Sequence, residues 1–529
     1  MVSVPAVVIA APASGSGKTT VATGLIGALR RAGHRVAPFK VGPDYIDPGY
    51  HGLAAGRPGR NLDPVLCGAE RMAPLYRHGS AGCDIAVVEG VMGLFDGRID
   101  ENNAEPIAEG STAQIAAMLG APVILVVDAR GHSQSLAALL HGFATYDSGI
   151  RLGGVILNRV GSERHEQVLR AACDRVGLPV LGALPRLAEL AVPSRHLGLI
   201  TAAEHGSAAQ SAVDAMSDLV AAHVDLAAVV ALATADAAGT TWDPVAELRA
   251  AASPRSGSAA ASFGSGSAAA SFGTGSAAAS FGSGSAAASF ASGPAAARSD
   301  APAAESTSAR GGSADPTPLA AAPVIAVAGG AAFTFGYAEH RELLEAAGAR
   351  VVVFDPAFDE LPTGTAGLVI PGGFPEEHAA ALAANVPLLT SIAEQARNGL
   401  PIHAECAGLL YLARSLDGHR MAGVIDADAE FGPRLTLGYR DAVALTDSVL
   451  FPAGARVRGH EFHRTRLTTP ATAPAAWAWR APTGGTVREG ATLANVHASY
   501  LHTHPAGNPG SIARFVTAAA EYARSYVAA

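Results

Sequence analysis

The chain has 529 residues, too many for one hydrophobic core, and 49% are apolar, enough to fill more than one. A formal net charge of −9 without a long Lys/Arg run speaks against a nucleic-acid surface, although local basic groups still allow an anionic substrate. Cys67, Cys83, Cys173 and Cys406 lack metal-ligand or disulfide-framework spacing, which excludes a stapled secreted fold and predicts reduced thiols.

The first half alternates short apolar runs with helical-period segments. Residues 4–10, Val36–Val41, Ile85–Glu89, Val123–Asp128, 154–158 and 179–184 read as strands. They are continuous rather than alternating, as parallel strands covered on both faces should be. Glu89, Asp128 and Asn158 end three of them, putting polar groups at the carboxyl ends where open α/β sheets bind ligands.

The first strand runs into Pro12-Ala13-Ser14-Gly15-Ser16-Gly17-Lys18-Thr19-Thr20, then into an amphipathic helix carrying Val21, Leu25 and Leu29. Successive backbone N–H groups at a helix N-terminus attract phosphate, and a Lys adds a mobile charge. Ser14, Gly15, Ser16, Gly17, Lys18, Thr19 and Thr20 are therefore the predicted ATP-binding residues. Lys18 would reach the β- and γ-phosphates and Thr19 would ligate Mg²⁺. Pro12 stands where the consensus opens on Gly, while the flanking strand and helix supply the expected context. The plain alternative is a Gly/Ser turn with an exposed Lys.

Two further clusters follow strands: Lys40-Val41-Gly42-Pro43-Asp44-Tyr45-Ile46-Asp47 and Glu89-Gly90-Val91-Met92-Gly93-Leu94-Phe95-Asp96. Carboxylates so placed can hold Mg²⁺ directly or through water, which makes Asp44 and Glu89 candidate metal contacts beside Thr19. Asp47 and Asp96 join them as functional candidates. Turn-forming Asp and a helix cap are the bland readings of the same residues.

Residues 241–321 are assigned to a disordered linker between domains at 1–240 and 322–529. Its unit Ser-Ala-Ala-Ala-Ser-Phe-Gly-Xaa-Gly begins at Ser258, Ser267, Ser276 and, altered, Ser285. Phe263, Phe272, Phe281 and Phe290 are its only large apolar groups, too few to offset the entropy of ordering. Strand and helix patterns then resume, with strands at Val324–Ala328, 351–354, 368–370 and 401–404 and helices at 339–347 and 408–415. Later segments around Gly438-Tyr439-Arg440 and Gly459-His460-Glu461-Phe462-His463 read as mixed short strands and turns.

The strand before Cys406 ends in Ala404-Glu405, and Ala407-Gly408 opens a helix. A thiolate gains from such a sharp turn, which exposes sulfur and aims backbone N–H groups at an oxyanion. Ala404 replaces the Gly this elbow prefers. A second donor is expected from Pro371-Gly372-Gly373-Phe374, so the oxyanion hole is assigned to Gly373 or Phe374 with Ala407. The base lies in His497-Ala498-Ser499-Tyr500-Leu501-His502-Thr503-His504. A buried inert thiol is the alternative for Cys406, and metal ligation the alternative for His497, His502 and His504.

These strings together resemble the cobyrinate/hydrogenobyrinate a,c-diamide synthases, glutamine-dependent amidotransferases of corrinoid biosynthesis. Residues 12–20, 40–48, 89–97, 332–337, 372–376, 404–412, 459–463 and 498–502 carry the resemblance, which spans both halves and excludes the repeats. It implies an α/β fold: an N-terminal dethiobiotin-synthetase-like P-loop domain with a parallel sheet, and a C-terminal class I glutaminase domain. It also implies ATP, L-glutamine and corrinoid carboxylates as partners and Mg²⁺ as cofactor. Cys406 is then the nucleophile and His502, at the family's Ser-Tyr-Xaa-His position, its base. Asp44, Tyr45, Ile46, Asp47 and Asp96 lie where the carboxylate is activated. His504 occupies the place where many glutaminases carry a Glu that orients the base, and Ala407 replaces a common Gly.

The rivals are a diamide synthase for another tetrapyrrole such as nickel sirohydrochlorin, a partition-type nucleotide-switch ATPase, and a scaffold with a dead glutaminase half. The switch ATPase needs neither Cys406, the Gly372-Gly373 turn nor His502. A homodimer is compatible with the sequence. No basic segment leads into an apolar stretch with a cleavage site, and no apolar run approaches the roughly 20 residues of a membrane span, so the expectation is a cytoplasmic protein without a membrane partner.

Overall fold

The computed structural model describes residues 3–99, 105–147, 149–186, 194–195, 198–199, 201–253, 322–468, 471–481 and 484–528. Residues 254–321, where the repeats fall, lie outside them. The first sheet comprises β1 (Ala6–Ala10), β2 (Val36–Val41), β3 (Arg60–Leu62), β4 (Ile85–Glu89), β5 (Val123–Asp128), β6 (Leu152–Val160) and β7 (Val180–Pro185). Their order is β3-β2-β4-β1-β5-β6-β7 and every pairing is parallel. Helices cover both faces, which is why β1, β2 and β4 are buried along their whole length and read as unbroken apolar runs.

This order sets up the site. Because β4 lies between β2 and β1, the loops leaving all three strands emerge side by side at the carboxyl edge. Lys40 of β2 and Glu89 of β4 are register partners, and Ile9 of β1 faces Glu89 from the other side.

In the C-terminal half, β8 (Val324–Ala328), β9 (Arg350–Phe354), β10 (Thr365–Ile370), β11 (Ile402–Glu405), β12 (Ala491–Leu493) and β13 (Val496–Ser499) form a second sheet ordered β9-β8-β10-β11-β13-β12. Only the β12–β13 pairing is antiparallel. A third sheet is built on the antiparallel pair Asp428–Ala444 and Arg456–Leu467, with His502–Thr503 on the latter's free edge.

Several sequence expectations shift. β3 (Arg60-Asn61-Leu62) has no apolar run to announce it, and β6 extends past both ends of 154–158. The segments read as short strands around Tyr439 and His460 belong to strands of 17 and 12 residues. Their polar residues disguised them, and several of those residues face the N-terminal half: Tyr439 Oη donates to Asp63 Oδ2 (3.0 Å), Arg458 pairs with Glu109 (2.8 Å) and Arg98 pairs with Asp441. Arg60 likewise bonds Glu339 (2.6 Å). Such contacts join residues 1–253 and 322–529 into one compact unit.

The start of the linker also moves. Trp242 is only 2% exposed, and Pro244–Ala252 is a helix capped by Asp243, whose carboxylate accepts from the Val245 N–H. Residues 241–253 therefore belong to the folded unit, held by one Trp and one Leu248 that low-complexity composition obscures.

Candidate active site

At the nucleotide end, helix α1 (Lys18–Arg31) follows β1 through residues 11–17. Gly17 adopts φ 95°, and a Cβ there would come 2.2 Å from Asn158 Nδ2. That side-chain amide donates to the Ser16 carbonyl (2.9 Å), and Arg159 donates to the Gly15 carbonyl (2.9 Å). The loop's carbonyls are thus tied back to β6, while Ser14 and Gly15 stay exposed and Thr20 sits in the first turn of α1. Lys18 is buried and donates to the Met92 carbonyl, in the loop after β4. Burial and the Lys40 ammonium pull it down to about 8.

Thr19 Oγ1 lies 2.7 Å from Glu89 Oε1 and 3.2 Å from Asp47 Oδ2. Lys40 Nζ contacts the same pair, 2.6 Å from Asp47 Oδ2 and 2.9 Å from Glu89 Oε1. His51, on helix α2 (Asp47–Ala55), places Nε2 2.7 Å from Glu89 Oε2. Burial favours the neutral acid at Glu89, but Lys40 and His51 outweigh it and keep the carboxylate charged. Asp47 moves the other way, pushed up by burial and by the Asp44 carboxylate. One hydroxyl and two carboxylates converging here are hard oxygen donors that suit Mg²⁺ alongside phosphate oxygens.

Asp44 and Asp96 are placed differently from Asp47 and Glu89. Asp44 Oδ1 accepts from the Ile46 N–H (2.8 Å) and the Asp47 N–H (2.9 Å), so it shapes the turn that presents Asp47. Asp96 Oδ2 accepts from the Gly93 N–H (3.0 Å). Ile46 is buried, and Tyr45 turns away from the acidic cluster toward the C-terminal half. Among the described residues no group of three or more His, Cys, Asp or Glu is arranged to hold a metal by itself, so His497, His502 and His504 do not form one.

At the other end, Cys406 follows β11 and precedes the helix Ala407–Leu412. Its backbone sits at φ 49°, ψ −99°, a strained conformation for a residue with a Cβ. The Cys406 N–H donates to the Ser499 carbonyl (2.7 Å), fixing the elbow to β13. Burial and the Glu376 carboxylate push the thiol well up, so at rest it is protonated. Gly372 admits His502: a Cβ there would lie 2.4 Å from the imidazole Cε1. Its carbonyl accepts from the Phe335 N–H (3.0 Å), while the Phe374 ring packs edge-on to that of Phe335 at 5.1 Å. Ala407 and Phe374 are buried.

His502 is completely buried, and burial lowers it to about 4, so it is neutral and able to accept a proton. No hydrogen bond joins it to Cys406 among the described residues. Its nearest acidic neighbour is Glu405, with Oε2 3.8 Å from Nδ1. Glu405 Oε1 accepts from the Thr503 N–H (3.0 Å) and hydroxyl (2.9 Å) and lies 3.2 Å from His403 Nε2. Burial disfavours its charge, but His403, His502 and the Thr503 N–H hold it at about 2.

Lys40, Asn158 and Glu405 were missing from the predicted site residues. Each carried a signal: an ammonium inside an apolar strand, an amide ending one, and a carboxylate beside the nucleophile.

Comparisons with known proteins place both halves of the chain in described families. Residues 7–200 match the CobQ/CobB/MinD/ParA nucleotide binding domain, and residues 324–509 match the CobB/CobQ-like glutamine amidotransferase domain. The fold and these matches thus define a two-domain amidotransferase that joins a nucleotide binding domain to a glutamine amidotransferase domain. The chain is 55% identical over 517 residues to hydrogenobyrinate a,c-diamide synthase of Mycobacterium bovis, covering 98% of each chain. It is 52% identical to the Streptomyces coelicolor protein of that name (97% of each) and 34% identical to cobyrinate a,c-diamide synthase of a Synechococcus species (97% of this chain, 98% of the other). The chain belongs to the a,c-diamide synthase family of glutamine-dependent ligases in cobalamin biosynthesis. Among the described residues no helix is long and apolar enough to cross a membrane.

Proposed function

We propose that the chain amidates the a- and c-side-chain carboxylates of hydrogenobyrinate or cobyrinate in turn, using ATP and ammonia released from glutamine. One observation carries this reading: Tyr45, two residues from Asp47 in the nucleotide site, packs its ring 5.1 Å from that of His502 in the glutaminase site. Two half-reactions held this close suit transfer of ammonia between them rather than independent hydrolysis of ATP and glutamine.

At the C-terminal site Cys406 Sγ attacks the glutamine side-chain amide as its proton passes to His502, whose charged form the Glu405 carboxylate 3.8 Å away favours. The Cys–His contact tightens when substrate binds. The oxyanion is received by N–H groups of Ala407 and of Gly373 or Phe374. His502 returns the proton to the leaving nitrogen, ammonia departs, and water hydrolyses the thioester to glutamate.

At the N-terminal site residues 14–20 cradle ATP, with Lys18 released from the Met92 carbonyl onto the β- and γ-phosphates. Thr19, Glu89 and Asp47 would hold Mg²⁺, with Asp44 supporting Asp47. When bound, the ion would neutralise phosphate charge. The macrocycle carboxylate takes the γ-phosphoryl group, releasing ADP. Ammonia attacks the resulting acyl phosphate, and phosphate leaves as the amide forms. Tyr45, Ile46 and Asp96 border the region where that carboxylate would lie.

Mass spectrometry of products formed from Mg-ATP, glutamine and hydrogenobyrinate, cobyrinate or nickel sirohydrochlorin tests the proposal. Two carboxylates of one corrinoid should become amides, and Cys406→Ala should do so only with ammonium. Amidation of nickel sirohydrochlorin alone, or of no macrocycle, overturns the substrate.

A further inference from the structure

We infer that His51 is a positioning residue for Glu89, fixing the rotation of that carboxylate so that one oxygen faces Thr19 and the metal–phosphate site. This rests on the proposed ATP–Mg²⁺ reading of the N-terminal site and adds to it a residue that touches neither nucleotide nor metal.

Asp47 opens α2 and His51 follows one turn later, so both side chains fall on the face turned toward the end of β4. Asp47 reaches Lys40 and the Thr19 hydroxyl, while His51 reaches behind them to Glu89. The two oxygens of Glu89 therefore have separate partners. Oε2 lies 2.7 Å from His51 Nε2, whereas Oε1 lies 2.7 Å from Thr19 Oγ1 and 2.9 Å from Lys40 Nζ. A carboxylate held by one oxygen alone can swing about its terminal bond. Contacts on both sides leave it one orientation, with Oε1 toward the phosphate loop.

His51 is an expensive residue to keep where it is. It is 0% exposed, and neither ring nitrogen makes a hydrogen bond among the described residues, Nε2 meeting Glu89 Oε2 as an ion-pair contact at 2.7 Å. A packing role would be met more stably by Leu, because a buried unpaired polar atom costs stability. An imidazole kept buried at that cost, with one nitrogen 2.7 Å from a carboxylate oxygen, is explained by that carboxylate. Partners of this kind commonly change metal affinity by about 10–100-fold when removed.

The experiment compares the full chain with His51→Leu and His51→Gln, whose side-chain amide can place a donor near the Nε2 position. Mn²⁺ binding to each protein–ADP complex is titrated by electron paramagnetic resonance, and ADP affinity in EDTA is measured separately. The expected result is Mn²⁺ affinity weakened about tenfold or more in His51→Leu and largely restored in His51→Gln, with metal-free ADP affinity unchanged in both. Wild-type Mn²⁺ affinity in His51→Leu overturns the inference. So does an equal loss of metal-free ADP binding in both variants, which marks a packing role. Failure of the wild-type ADP complex to bind Mn²⁺ overturns the metal reading itself, along with the inference that rests on it.

Discussion

Tyr45 lies 5.1 Å from His502, ring centroid to ring centroid, and stacks at 5.0 Å on Phe335, which itself flanks His502 at 6.2 Å. One aromatic side chain of the nucleotide domain therefore forms part of the wall around His502, the proposed glutaminase base. Aromatic pairs are worth about 0.5–1.5 kcal/mol beyond their buried area, and roughly 1.4 kcal/mol is a factor of ten in rate. Tyr45→Ala should lower the ratio of glutamine-supported to ammonia-supported amidation about tenfold, while Tyr45→Phe keeps it within about twofold. Parallel steady-state assays with the two nitrogen sources decide this, and an unchanged ratio in Tyr45→Ala would mean that the contact is only packing.

Much of this candidate site is legible in the sequence because its groups lie close together along the chain. The phosphate loop, the Glu89 strand end and the Cys406 elbow each place reactive groups within a few residues of a strand, where an apolar run reveals them. The partners that complete them are remote. Glu89 meets His51 from a helix that begins in another loop, and Tyr45 meets His502 across the contact between the two halves, to which the polar strands Asp428–Ala444 and Arg456–Leu467 contribute. Those strands hid from periodicity because charged residues such as Asp441 and Arg458 pair with Arg98 and Glu109 of the other half instead of marking a purely solvent-facing side. Trp242 and the helix after it were masked by the alanine-rich composition of their surroundings.

The backbone strain at Cys406 can be separated from its chemistry. Both Cys406→Ala and Cys406→Gly remove the thiol proposed as nucleophile, and both should reduce glutamine-supported synthesis to background while retaining synthesis from ammonium. Only glycine relieves the left-handed φ of 49°. Cys406→Gly should therefore be about 1 kcal/mol more stable than Cys406→Ala to denaturant, the usual scale of such strain. Equal stability of the two variants would show that the elbow stores no strain of that kind.

The pH dependence of glutamine hydrolysis should reflect burial of His502. An imidazole lowered to about 4 carries its proton only below that pH and is a free base above it. The acidic limb of kcat/KM for glutamine should accordingly fall below pH 6, closer to pH 4–5, instead of near the ordinary imidazole value of about 6.5. The thiol raised by burial keeps the resting pair neutral at pH 7, so Cys406 should react slowly with iodoacetamide until glutamine or an analogue binds. A limb at pH 6.5 together with rapid alkylation of the free enzyme would contradict both statements.

Lys40 makes the last separation, between holding the acidic cluster together and performing chemistry. Its ammonium is buried between Asp47 and Glu89, and burial alone would lower its pKa. The two carboxylates outweigh that effect and keep it charged. Lys40→Met removes the ammonium that contacts both carboxylates and leaves them facing each other in the interior. Losing one member of a buried ion pair typically costs about 3–5 kcal/mol, because the remaining charge is uncompensated. Equilibrium denaturation at low ionic strength should show a loss of that size for Lys40→Met. The double variant Lys40→Met/Asp47→Asn should recover part of it, since the amide keeps an oxygen for Thr19 without the charge. Added Mg²⁺ and ADP should rescue Lys40→Met more than wild type, because bound cation replaces the missing charge. If the double variant were no more stable than Lys40→Met, packing of the long side chain rather than charge balance would be the role of Lys40 here.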